Sequence, residues 1–182
     1  MRNVFLLPIV IALTACSSGP TPVTSPYYLI PAGSKVVLKQ ELTILPNAAR
    51  VYIQYGRVVT PKEKNNYYAH CWFLSWKVLE TAQVIKPDTF IVTNTQHRED
   101  IVMLKPARQV AALELSFGMF GATGPQSLIY STELTIHSDT QPDIRRLICG
   151  HWENPYDAYH LTVAQMQQVL GNIAEIQLNP GK

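Results

Sequence analysis

Two cysteines and two histidines form the first chemically suggestive constellation in this 182-residue chain. His70 adjoins Cys71, and His151 lies two positions after Cys149. If the two cysteines meet in the fold, both imidazoles come with them. Two thiolates and two imidazoles suit a tetrahedral zinc ion. Two sulfurs bonded to each other would lose that capacity. The spacing matches no common zinc finger or ribbon, which leaves a Cys71, Cys149, His70, His151 centre as a minor reading.

Three further stretches carry reactive or adhesive side chains. His97-Arg98-Glu99-Asp100 packs four polar groups into four positions. Acid–base catalysis needs such groups in a cleft with displaced pKa values, whereas a solvated turn would leave them ordinary, and the charged turn is the expected outcome. Gly118, Gly121 and Gly124 recur every three residues beside Phe117, Met119 and Phe120. No Gly-Lys-Ser/Thr follows, so this is no phosphate loop. Its apolar side chains are either buried or offered to a partner. The run from His151 to His160 mixes rings with polar groups. His151, Trp152, Tyr156 and His160 are its candidate ligand contacts, although large amphipathic rings also serve to pack a helix onto a sheet. There is no Gly-x-Ser-x-Gly, His-Glu-x-x-His or Ser-x-x-Lys. A catalytic triad can form without any such motif, but nothing here names a reaction, and no catalytic residue or cofactor is expected.

The elements that must position these groups read mostly as strands. Residues 36–44 alternate apolar and polar, then Leu45-Pro46-Asn47 turns the chain, and 51–55 alternates again and can run on to Val59. The pattern predicts a hairpin or meander. Residues 60–68 are polar and read as a loop. Residues 70–79 put Trp72, Leu74, Trp76 and Val78 on one face and Cys71, Phe73 and Ser75 on the other, as in a strand covered on both sides. Residues 90–95 and 101–104 read as a strand pair with 96–100 at its tip. Residues 110–117 read as a strand and 118–125 as a loop. Residues 128–136 alternate clearly, and 144–149 is a short apolar strand. Thr162-Val163-Ala164-Gln165 has the form of a capping box. Val163, Met166, Val169 and Leu170 follow at helical spacing, Gly171 suits the helix end, and 173–178 returns to strand alternation. Many short strands with one late helix predict a mainly β fold. The expectation is an antiparallel β-sandwich or partly open barrel whose C-terminal helix caps one end or plugs one opening.

The chain opens with Arg2, an apolar run over residues 4–13, and small residues ahead of Cys16. That is the layout of a secretory signal. Its apolar run is about ten residues, against the roughly 20 that span a bilayer. Leu13-Thr14-Ala15-Cys16 matches the lipobox at all four positions, and in this the chain resembles the bacterial lipoproteins. The resemblance covers only the first residues. It implies cleavage before Cys16, diacylglycerol on its sulfur and acylation of the new amine. Two or three acyl chains anchor durably where one does not. Ser17 after the cysteine implies sorting to the outer membrane.

With Cys16 assigned to lipid, Cys71 and Cys149 remain as an even pair in an oxidising compartment, and a disulfide is expected. Closing 78 positions would stabilise the fold by about 4–5 kcal/mol in a chain-entropy treatment. Residues 16–28, rich in proline and small polar side chains, read as the lipidated end and a polyproline-like tether reaching roughly 30–35 Å at ~3.1 Å per residue. Residues 29–182 form one domain, large enough to bury a core. A formal charge of +2 and a charged fraction of 15% hold no clustered basic face for nucleic acid. The sequence therefore predicts a non-catalytic outer-membrane lipoprotein. Its domain would face the periplasm and bind or scaffold another envelope component, with Phe117, Met119 and Phe120 as the candidate contact. A hydrolase or carbohydrate-binding module using the 151–160 segment is the alternative, and metal binding a weaker one.

Overall fold

The computed structural model describes residues 19–102, 127–153 and 159–180. Cys16, the 110–117 strand, the 118–125 loop with Phe117, Met119 and Phe120, and Tyr156 lie outside the described residues. In chain order the elements are β1 (Lys35–Leu38), β2 (Leu42–Ile44), β3 (Arg50–Gln54), β4 (Arg57–Val59), β5 (His70–Ser75) and β6 (Gln83–Ile85). There follow β7 (Asp88–Val102), β8 (Ser127–His137), β9 (Ile144–Glu153), α1 (Val163–Leu170) and β10 (Ala174–Gln177).

Eight strands form one antiparallel sheet in the order β10-β1-β7-β8-β9-β5-β3-β4, curled into a half-barrel, and β2 pairs with β6 in a separate ribbon. The fold is mainly β, with a single helix among the described residues. Of the two expected architectures the half-open barrel is the one adopted. Strand alternation explains the curl's inner lining. Val36, Leu38, Val51, Ile53, Phe73, Phe90, Val92, Leu134, Ile136 and Leu147 are all buried in one cluster. Leu42, Ile44 and Ile85 of the ribbon join it.

The helix fills the concave side. Thr162 Oγ1 accepts from the Gln165 N–H (3.2 Å) and Gln165 Oε1 accepts from the Thr162 N–H (2.8 Å), which is the expected capping box. Val163, Met166, Val169 and Leu170 face the core. The helix then ties both edges of the open sheet. Gln167 Oε1 accepts from the Ile176 N–H of β10 (2.8 Å). At the far edge the Gly56 N–H donates to the Val169 carbonyl (2.9 Å). Gly171, at φ 54°, lies so close to Gly56 that a Cβ there would sit 2.8 Å from the Gly56 Cα.

Four strand expectations change. The alternation over 36–44 belongs to two strands, because the chain leaves the sheet after Leu38 and β2 enters the ribbon; neither forms a hairpin with β3. The run from 51 to Val59 is broken at Tyr55-Gly56, a two-residue turn with φ 55° and 71° that folds β4 back on β3. Both positive angles mark the mirror-image turn that matches strand twist. The third strand stops at Ser75, and Trp76 and Val78 are exposed. The supposed pair 90–95 and 101–104 is one strand of fifteen residues. Its register slips between Val92 and Asn94, so apolar parity switches in mid-strand and hides the continuity.

A non-glycine residue in the left-handed region costs about 1 kcal/mol, and asparagine tolerates it best. Tyr55→Asn should therefore raise the urea midpoint of unfolding by an amount equivalent to about 1 kcal/mol. An unchanged or lower midpoint would mean that the Tyr55 ring, 6.0 Å from that of Tyr68, offsets the strain.

Candidate functional site

Cys71 and Cys149 face each other in the β5–β9 ladder and are bonded at 2.07 Å. The bond removes both thiolates from the zinc constellation. The disulfide lies in a row running across the concave face: His97, Thr132, Cys149, Cys71 and Ile53 are successive register partners. One row nearer the mouth come Glu99, Tyr130 and His151. The apolar barrel lining thus gives way to polar groups at one end, and His97, Arg98, Glu99 and Asp100 are not a hairpin tip. Alternation sends His97 and Glu99 inward and Arg98 and Asp100 outward. On the outer face Arg98 Nε meets buried Glu133 at 3.2 Å, with Arg146 Nη1 at 3.4 Å and Gln96 Nε2 at 2.8 Å.

The segment entering α1 closes over this mouth. His160, only 4% exposed, stacks on His97 with ring centres 4.0 Å apart and planes 23° from parallel. Tyr130 meets it edge-on at 5.6 Å, and Glu99 Oε1 is 3.7 Å from its Nε2. His97 Nδ1 is 3.1 Å from Thr132 Oγ1. Beside the stack is a cavity of about 310 Å³ lined by Pro26, His151, Tyr159, His160, Thr162 and Gln165. Residues 22–28 do not extend as a polyproline spacer. The Ser25 N–H donates to the Pro22 carbonyl and the Tyr28 N–H to that of Ser25. These two turns bring Pro26 to the cavity and the Tyr27 ring edge-on to Tyr159 at 6.4 Å.

Burial holds His97, His151 and His160 below the ordinary imidazole value. His97 pushes His160 further down; Glu99 pulls both back, as Glu153 does His151. Burial also raises the Tyr130 hydroxyl. At pH 7 the mouth is a set of neutral rings. His97 Nε2, His151 Nδ1 and His160 Nδ1 are buried without a hydrogen-bond partner of good geometry. Among the described residues no group of three or more His, Cys, Asp or Glu side chains is arranged to hold a metal ion.

Of the candidate ligand contacts, His151 and His160 meet at the cavity, whereas Trp152 points to the opposite face of β9. There its ring meets Tyr67 at 5.9 Å, while its backbone N–H donates to the Asn66 carbonyl (2.8 Å). That face forms an aromatic corner. His70 stacks on Trp72 at 5.5 Å, Tyr52 lies 6.0 Å from Trp72, and Tyr68 lies beside Tyr55. Gln54, buried under the 60–69 loop, holds it through the Asn65 carbonyl (2.8 Å) and the Asn65 N–H (3.1 Å). Tyr55, Tyr67 and Tyr68 remain 61%, 57% and 56% exposed. A separate groove of about 350 Å³ between β2 and the β3–β4 hairpin is lined by Leu45, Val58 and Pro61 and has no histidine.

Sequence reading singled out His97 and Glu99 but took them for a solvated turn, because the slip at Thr93 masked their common face, and it gave Tyr130 and Thr132 no role in a site. It missed the aromatic corner because its rings come from four separate segments. Comparison with family models, with curated proteins and with solved structures gave no match.

Proposed function

We propose that the protein is a lipid-anchored binding module of the cell envelope. Cleavage before Cys16 and acylation of that residue would hold it on the outer membrane. The half-barrel, facing the periplasm, would dock another envelope component. The observation that carries this reading is the aromatic corner. Exposed apolar patches mark contact sites, Tyr55, Tyr67 and Tyr68 are each more than half exposed, and tyrosine and tryptophan supply much of the binding energy of contact surfaces. The histidine mouth favours binding over nucleophilic catalysis. The hydroxyl hydrogen-bonded to His97 belongs to Thr132, which is fully buried, and the Thr162 hydroxyl at the cavity is engaged in the helix cap.

A protein partner is the first reading. A glycan is the second, favoured by the Tyr67–Trp152 pair beside Asn66. The experiment is to place a photo-crosslinking amino acid at Tyr67, in cells, in the native chain and in a Cys16→Ser variant. The native chain should sediment with membranes and give a discrete adduct with an envelope protein. The Cys16→Ser chain should leave the membrane fraction and lose most of that adduct. An unaltered membrane fraction in the variant overturns the anchor. Absence of any adduct, with retention on insoluble envelope polysaccharide, replaces the protein partner by the glycan.

A further inference from the structure

We infer that the stacked His97 and His160 rings form an acid-opened latch, which closes the 159–162 segment and the N-terminal 22–28 segment over the mouth of the half-barrel. The two rings belong to different elements, His97 to the middle of β7 and His160 to the lead-in of α1. Their 4.0 Å stack holds that lead-in on the sheet together with Leu161, which is buried in the core. The N-terminal turns lie over it in series: Tyr27 packs on Tyr159, Pro26 lines the cavity with His151 and His160, and the Tyr27 backbone faces His97.

Neutral imidazoles stack readily, but a proton on either ring places a charge among buried groups. His97 Nε2 and His160 Nδ1 have no acceptor in hydrogen-bond geometry to receive that proton. The Tyr27 and Ser131 backbones beside them favour the charged forms only in part.

The elements packed on the pair supply little compensating charge. From β7 comes Glu99, whose carboxylate is 3.7 Å from His160 Nε2 and mostly in solvent; Arg98 and Asp100 point to the other face. From β8 come Tyr130, neutral at working pH, and Thr132, while Glu133 is turned away into its arginine cluster. From β9 come His151, itself a base, and Glu153 beyond it, which acts on His151. The first turn of α1 carries no acidic residue, and the N-terminal segment offers Pro26 and Tyr27. Among the described residues the Glu99 carboxylate can offset one proton in part, and no second carboxylate faces the pair.

Acid should therefore part the rings, lift the lead-in and release the N-terminal turns. The seven residues 22–28 would then extend by up to roughly 20 Å, at ~3.1 Å each, and the cavity beside His151 would open.

Hydrogen exchange on the detergent-solubilised mature chain tests this, with rates corrected for intrinsic pH dependence. Between pH 7.5 and 5.5, exchange in peptides covering 25–29 and 159–162 should rise about tenfold relative to peptides from β3 and β5, since one pK unit is a tenfold change. His97→Phe keeps a ring in the stack but cannot titrate, and should hold the change below about twofold. Glu99→Gln, at an exposed site, should move the opening to higher pH. If the two segments loosen only together with β3 and β5, the event is global unfolding and the latch is refuted. Equal opening in wild type and His97→Phe, or an unmoved midpoint in Glu99→Gln, refutes it as well.

Discussion

The Cys71→Ala/Cys149→Ala double variant should unfold with a free energy about 3–5 kcal/mol below that of the oxidised protein. The bond closes a loop across 78 positions, and a chain-entropy treatment places most of its effect in the unfolded state. The native geometry should survive, because Cys71 and Cys149 are register partners whose strands are already hydrogen-bonded on both sides of them. The variant should accordingly keep its strand signature by circular dichroism and lose midpoint in urea. Reductant should bring the wild type to the same midpoint and leave the variant unmoved. A wild type insensitive to reductant under denaturing conditions would show that the bond is not formed. Alanine suits the test better than serine, since both positions are almost fully buried and a serine hydroxyl there would add a desolvation cost of its own.

Acid should weaken the fold, and His70 should account for the largest single share. Its Nδ1–H donates to the Tyr68 carbonyl (2.9 Å), and its Nε2 accepts from Lys64 Nζ (3.2 Å). Both contacts fit the neutral ring. Burial, opposed by the Tyr68 carbonyl and reinforced by Lys64, takes its pKa down to about 4. Above pH 6.5 the ring is neutral folded and unfolded, and contributes nothing to pH dependence. As pH falls below 6.5 the unfolded chain takes up a proton that the folded chain refuses, so stability declines until the folded form titrates near 4. A shift from 6.5 to about 4 amounts to about 3 kcal/mol. His97, His151 and His160 act with the same sign. Urea midpoints between pH 7.5 and 4 should therefore slope downward, and His70→Gln, which can donate and accept at similar places, should flatten the lower half of that slope. A variant with an unaltered slope would assign the acid sensitivity to the other three rings.

Local chemistry was legible wherever a single element decided it. The capping box at Thr162 and Gln165, the helical spacing of Met166 and Leu170 and the long alternation of β8 all follow from short stretches with one dominant constraint, and the Cys71–Cys149 pair from the cysteine count. The functional ends of the fold were less so, for two physical reasons. An irregularity of one residue reverses strand parity, so the slip at Thr93 turned His97 and Glu99 from barrel lining into an apparent turn. Surfaces assembled by non-local pairing carry no sequence signature: Tyr52, Tyr67, Trp72 and Trp152 become neighbours only because β3, β5 and β9 are adjacent. Trp152 and His151, read as parts of one site, are split between two faces by the same alternation that defines a strand.

The path by which the N-terminal segment joins the fold has a mechanical consequence. The Gly33 N–H donates to the Val92 carbonyl, the Val92 N–H to that of Ser34, and Thr95 Oγ1 to that of Ile30. The chain then enters β1, which has β10 on one side and β7 on the other. Tension arriving from a membrane anchor would reach an interior strand, so two ladders must shear together before the domain yields. A terminal strand at an edge could be peeled one bond at a time. The helix adds a brace, because Gln167 ties β10 to α1 and α1 is tied in turn to the Tyr55-Gly56 turn at the opposite edge. Pulled from its N-terminal end, the half-barrel should resist through its helix before it unravels.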